Sequence, residues 1–218
     1  MRLNLCITPN NETVPFNYQQ FLIGAFHKWM GRNSIHDKIS LYSFSWLQKA
    51  EMTKKGLEFP RGSSWFISFW KPDFGKRLIE SIMEDPEICY GMRVTEIQMQ
   101  DDPEFGNKEK FKLASPVLIR KYDQYKRAVH LTYECEEADH YMKETLLKKM
   151  KIANLNYEVN LHFDKEFQGS RTKLIEIKGI NNRVSFCPVI IEGDPEAIKF
   201  AWNVGLGHST GCGFGAIF

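Results

Sequence analysis

Five of the chain's fifteen glycines fall within eleven residues near its end, in Gly205-Leu206-Gly207-His208-Ser209-Thr210-Gly211-Cys212-Gly213-Phe214-Gly215, and this segment constrains the fold more than any other. A residue without Cβ lets backbone approach closely and adopts positive φ, so such a run builds either a concave anion site from amide groups or a tightly packed connection. The glycines alone permit both. The segment is not a P-loop, because none of its glycines is followed by lysine, and it trails a helix where a dinucleotide fingerprint trails a strand. Nucleotide cofactors are disfavoured, and no cofactor is expected. The preceding helix is well marked: Asp194 as N-cap, Pro195 in first position, Glu196 at the positive end of the dipole and Gly205 at the close.

Upstream, two periodicities alternate. Leu3, Leu5 and Ile7 alternate with Arg2, Asn4 and Cys6, which predicts a half-buried strand over residues 2–7. Pro15 suits a helix's first turn, and Tyr18, Leu22, Ala25, Phe26 and Trp29 recur at three and four before Gly31. Residues 41–47 and 63–70 read as paired strands, Asp73 opens a helix with a Leu78, Ile79, Ile82, Met83 stripe, and residues 92–99 form another strand. Strand, helix, strand, strand, helix, strand is the ferredoxin-like order. The second half repeats it: a strand over 128–134, a helix lined by Ala138, Met142, Leu146, Met150 and Ala153, an alternating strand over 157–163, strands 172–178 and 184–191 around a turn at Gly179-Ile180-Asn181-Asn182, the helix from Asp194, and a last strand over 214–218. The expected fold is α+β, two tandem ferredoxin-like (βαββαβ) domains over residues 1–119 and 120–218, with the glycine segment in the second.

With 43% hydrophobic and 26% charged residues, the 218-residue chain excludes disorder and coiled coil. The longest apolar run, residues 21–26, is far short of the roughly 20 residues of a membrane-spanning helix, and no signal-peptide core follows Met1. A cytoplasmic protein without a membrane partner is expected. Cys6, Cys89, Cys135, Cys187 and Cys212 are odd in number and lack a C-x-x-C pair, so they encode neither a disulfide framework nor a zinc knuckle. No metal site is expected, since no further ligands cluster near His208 and Cys212. The formal net charge of +2 announces no nucleic-acid binder, because phosphate binding rests on local clusters.

Gly-hydrophobic-Gly, five residues, Gly-hydrophobic-Gly at the end of a second ferredoxin-like unit resembles the CRISPR-associated endoribonucleases of the Cas6 type, in the RAMP superfamily. The likeness extends to Gly193-Asp194-Pro195, to Ser115-Pro116-Val117 and to Pro15-Phe16-Asn17-Tyr18-Gln19, and so spans nearly the whole chain. Those enzymes cut precursor CRISPR RNA within each repeat. The resemblance implies cleavage without metal, giving 2′,3′-cyclic phosphate and 5′-hydroxyl ends. It implies repeat RNA as partner, and it leaves an effector complex and a homodimer open.

Such cleavage must remove the 2′-OH proton, stabilise the phosphorane and protonate the leaving 5′ oxygen, tasks suited to histidine and lysine. The family's principal histidine lies just after the first helix, before an aromatic-Ser strand. Here that stretch is Ser34-Ile35-His36-Asp37-Lys38, followed by Leu41-Tyr42-Ser43. The resemblance makes His36 the general acid or base, Lys38 the phosphate-stabilising cation, and His27, late in the first helix, a second group on the 2′-OH side. Without the family pattern these residues read as a solvated loop histidine, a surface charge and a partly packed helix residue. His130, His140 and His162 are poorer candidates.

For RNA binding the candidates are Gly205, Gly207, His208, Gly211, Gly213 and Gly215, together with Arg120, Lys121, Lys126 and Arg127. The last four are interleaved with Tyr122 and Tyr125 between the expected domains, a mixture that grips phosphates and stacks on bases. Lys143, Lys148, Lys149 and Lys151 either extend that surface or form the solvated face of their helix. Two other functions compete: a non-cleaving subunit that binds repeat RNA, and a phosphate- or nucleotide-binding ferredoxin-like protein unconnected with RNA.

Overall fold

The computed structural model describes residues 1–31 and 39–218. The first unit runs β1 (Arg2–Ile7), α1 (Gln19–Met30), β2 (Tyr42–Phe44), β3 (Glu51–Met52), β4 (Leu57–Glu58), β5 (Ser63–Phe69), α2 (Asp73–Glu84), β6 (Glu87–Cys89) and β7 (Met92–Gln100). Its sheet has the order β2-β5-β1-β7-β6, all antiparallel. The first four strands of that list are the ferredoxin-like arrangement, and β6 adds an edge. Leu3 and Leu5 of β1 are completely buried, as their alternation predicts. The α1 stripe Leu22, Ala25, Phe26 and Trp29 packs on the same core with Trp65 and Ile67 of β5 and Leu78 and Ile82 of α2. Each of the leucine, isoleucine and phenylalanine side chains among these contributes about 1.5–3 kcal/mol through burial. The helix begins at Gln19, later than Pro15 suggests, because Val14 is held to Leu57 as a β-bridge.

The second unit runs β8 (Lys108–Phe111), β9 (Ile119–Tyr122), β10 (Ala128–Leu131), α3 (Ala138–Ile152), β11 (Val159–Phe163), β12 (Arg171–Ile177), β13 (Ile180–Phe186), β14 (Val189–Gly193) and α4 (Pro195–Val204). Its sheet orders β11-β14-β8. The closing stretch 214–218 lies along the extension of β8 through the Leu113–Ile217 bridge and paired bonds between Lys112 and Phe218. With that stretch as its last strand, the unit repeats the ferredoxin-like order, and the chain folds as two tandem ferredoxin-like units. Strand β8 precedes the division expected between residues 119 and 120, so the second sheet draws on residues from before it. The segment expected between domains is instead a hairpin: β9 pairs with β10, with Tyr122 opposite Ala128.

The expected turn at 179–182 sits earlier. Ile177 pairs with Ile180, leaving Lys178 and Gly179 as a two-residue turn with φ of 51° and 77°, the positive values that a tight hairpin needs at both positions. Asn182 then belongs to the strand, buried, its amide donating to the Ile180 carbonyl at 3.0 Å. The single strand expected over 184–191 divides before Pro188, which carries no amide for a ladder. Among the described residues no helix is long and apolar enough to cross a membrane.

The units are clasped by a buried arginine. Arg2 lies between the rings of Phe66 and Trp202, 3.8 and 3.6 Å from their centroids. It also donates to Ser68 Oγ at 2.7 Å and to the Ile217 carbonyl at 2.8 Å. Trp46 adds a bond from its indole to the Gly213 carbonyl at 2.8 Å.

Candidate functional site

The glycine segment emerges from α4 and turns back between the two units. Asp194 stands at the helix N-cap, but its carboxylate accepts from the Glu158 amide at 2.8 Å rather than from its own helix. At the other end Gly205 stops α4, and the Leu206 amide donates to the Gly215 carbonyl at 2.8 Å, closing the segment on itself. A Cβ on Gly215, whose φ is 67°, would overlap the Leu206 carbonyl oxygen. One on Gly207, with φ of 71°, would lie 2.5 Å from the Leu118 carbonyl oxygen. These two glycines are required by backbone meeting backbone.

The mid-chain Ser115-Pro116-Val117 is the other side of this joint. Pro116 accepts from the Gly215 amide at 2.8 Å, and Ser115 Oγ accepts from the Ala216 amide at 2.9 Å. Gly205 lies against Ser43, Gly213 against the Phe44 ring, and Gly211 against the hydroxyls of Ser40 and Tyr42. The segment thus lies against the strand that opens after the stretch bearing His36 and Lys38. Those two residues lie outside the described residues. His27 sits in the last turn of α1, half-buried beside Phe26, and α1 runs alongside the 3₁₀ turn Thr210–Cys212.

Between this turn and α3 is a cavity of about 500 Å³, lined by Ser40, Thr145, Lys148, Lys149, His208 and Thr210 among others. His208 is not a cation there. Its amide donates to the Leu118 carbonyl at 2.7 Å and its Nδ1 accepts from the Arg120 amide at 3.2 Å. Burial, then the charges of Arg120 and Lys149, push its pKa down to about 4. At neutral pH it is a neutral imidazole with its proton on Nε2, able to donate one hydrogen bond. Arg120, at the same rim, hydrogen-bonds Ser209 Oγ through its guanidinium.

The remaining expected cations are distributed along the hairpin. Lys121 pairs with Glu137, and Arg127 with Asp123 at 2.8 Å while lying 5.1 Å from the Tyr125 ring centroid. Lys126 stands in the tip with φ of 60°, and Tyr122 and Tyr125 beside it are 64% and 68% exposed. Lys149, expected either to extend the RNA-binding surface or to lie on the solvated face of its helix, is instead only 4% exposed. The sequence signal that could have found it is its spacing: it follows Met142 by seven residues and neighbours Met150, both on the buried stripe.

Residues 98–217 match the family model described as CRISPR associated protein Cas6, C-terminal. The chain is 26% identical over 236 residues to CRISPR-associated endoribonuclease Cas6 1 of Methanocaldococcus jannaschii, covering 100% of this chain and 92% of that protein. In fold it is similar to a Cas6-related protein from Pyrococcus furiosus, with a TM-score of 0.87, 22% identity and coverage of 100% and 97% of the two chains. A structure described as an RAMP protein binding different RNA substrates gives a TM-score of 0.84 at 22% identity, covering 100% and 98%. With more than half of its 218 residues inside that family model, and both ferredoxin-like units in place around the glycine segment, the chain belongs to the Cas6 family.

Proposed function

We propose that this protein is a metal-independent endoribonuclease that cuts precursor CRISPR RNA within its repeats, in the cytoplasm. The observation that carries the reading is the docking of Gly211 on Ser40 and Tyr42. It joins the glycine segment and its cavity to the strand reached directly after His36 and Lys38. The name of the Methanocaldococcus jannaschii relative, a CRISPR-associated endoribonuclease, supports the endoribonuclease part of this reading.

In the proposed reaction the 2′ oxygen bonds to phosphorus as the bond from phosphorus to the 5′ oxygen breaks. His27 takes the 2′-OH proton, His36 delivers a proton to the departing 5′ oxygen, and Lys38 offsets the charge on the phosphorane. The ends left are a 2′,3′-cyclic phosphate and a 5′-hydroxyl, and no water enters the cleavage step. Arg120, Lys126 and Arg127 hold phosphates, with Tyr122 and Tyr125 offering faces on which unpaired bases stack. Gly205, Gly207, Gly213 and Gly215 shape the segment, and Gly207 and Gly211 border the RNA together with the neutral His208.

The test is cleavage of the cognate repeat in EDTA. Wild-type protein cuts it, and His36→Ala cuts at least about 100-fold more slowly, the lower end of what a positioned acid or base supplies. A 2′-deoxy nucleotide at the scissile position abolishes product. Tight binding that leaves the RNA intact would instead identify a non-cleaving repeat-binding subunit.

A further inference from the structure

Lys149 lies on α3 in a row of lysines, yet it is buried. Its Nζ donates to the carbonyls of Val204 and Gly205 at 2.9 and 3.1 Å, and to Thr210 Oγ1 at 3.0 Å. An ammonium has three protons and no lone pair, so three acceptors satisfy it fully. All three partners are neutral oxygens. Two of them close α4, where the helix dipole is negative, and α4 has no basic residue in its own last turn. The neighbouring helix α3 supplies the missing cation. Its burial, with no carboxylate among these partners, draws the ammonium's pKa down to about 7.

The third bond reaches the glycine segment. Thr210, itself only 1% exposed, opens the 3₁₀ turn Thr210–Cys212. The next residue, Gly211, is the one packed on Ser40 Oγ and the Tyr42 hydroxyl. A continuous line of contacts therefore runs from α4 through Lys149 and Thr210 to Ser40, along one wall of the cavity. We infer that Lys149 is a positioning residue for RNA cleavage: acting through Thr210, it fixes the glycine turn against Ser40 and so sets the wall that the scissile phosphate faces. The inference rests on the nuclease reading above, and it adds a requirement the glycines alone do not impose.

Thr210→Val keeps the shape and removes the acceptor, Thr210→Ser keeps the hydroxyl, and Lys149→Met keeps most of the stem without the charge. Single-turnover cleavage of repeat RNA by Thr210→Val is expected to fall by about 100-fold, as for a sub-ångström to ångström misplacement of reacting groups. Affinity for an uncleavable 2′-deoxy repeat stays unchanged, and Thr210→Ser recovers the wild-type rate. Cleavage unchanged in Thr210→Val, or slowed only in proportion to weakened binding, overturns the inference.

Hydrogen exchange is read on the same proteins without RNA. The Cys212 and Gly213 amides, bonded to the Ser209 and Thr210 carbonyls at 2.8 and 3.2 Å, exchange faster in Thr210→Val and Lys149→Met while α3 stays protected. Unaltered exchange at those two amides also overturns it. Should wild-type protein leave the RNA whole, the nuclease reading fails, and exchange still decides whether Lys149 holds the turn.

Discussion

The glycine segment and the β9–β10 hairpin meet at Arg120, and they use their polar groups in opposite ways. In the first, amides of Leu206, His208 and Gly215 are bonded to carbonyls of the same chain, and Leu206 and Phe214 are buried. In the second, two tyrosines stand open to solvent beside Lys126 and Arg127. The contrast separates shape from adhesion. Glycines that a sequence reader assigns to phosphate binding are required here first by packing between two units. On the proposed function, the side chains that grip a long polyanion stand on this short ribbon. Damage to the segment's tightly packed glycines should therefore appear as lost stability, and damage to the hairpin as lost affinity.

Gly215→Ala is expected to do the most harm. The new methyl overlaps a backbone oxygen, so unfolding in urea should show a loss of at least about 3 kcal/mol, the upper part of the range for single substitutions. A variant with wild-type stability would mean that the segment is looser than its bonds imply. Tyr122→Ala and Tyr125→Ala should each weaken binding of an uncleavable repeat by about 1–3 kcal/mol where a base stacks. Their urea midpoints should remain those of the wild type. Lys126→Ala is milder still: the slope of log affinity against log salt should become shallower by about one, the signature of one lost phosphate contact. An unchanged slope would remove Lys126 from the interface.

A further effect, set by pH rather than by substitution alone, concerns His208. The unfolded chain takes up a proton on an ordinary histidine near pH 6.5, whereas the folded protein, with His208 facing Arg120, Lys149 and Lys148, resists until about 4. Acid thus favours the unfolded state across that window, and the stability conferred by the neutral ring is complete above it. Urea midpoints measured from pH 6.5 to 4 should fall more steeply in wild type than in His208→Gln. Equal slopes would place the ring in solvent.

What the sequence disclosed follows the strength of each local signal. The buried alternation of Leu3, Leu5 and Ile7, the stripes of α1 and α3, and the Pro195 to Gly205 helix were all legible, because one face of each is apolar and the ends are marked. Strand β8 was not: Lys-Glu-Lys-Phe offers a single buried side chain, Phe111, and the rest is bonding to β14 that only the tertiary fold supplies. The same holds for Arg2 and Lys149, whose charges are accommodated by rings and by carbonyls brought from 55 to 215 residues away in the chain. All three proposed cleavage groups rest on the family resemblance: His27 lies in the last turn of α1, whereas His36 and Lys38 lie outside the described residues.

The chemistry of the cut can be read directly from its products. Mass spectrometry of repeat RNA incubated with the protein in EDTA should give an upstream fragment ending in 2′,3′-cyclic phosphate and a downstream fragment with a 5′-hydroxyl. Fragments carrying a 3′-hydroxyl and a 5′-phosphate would contradict attack by the 2′ oxygen and the roles given to His27, His36 and Lys38.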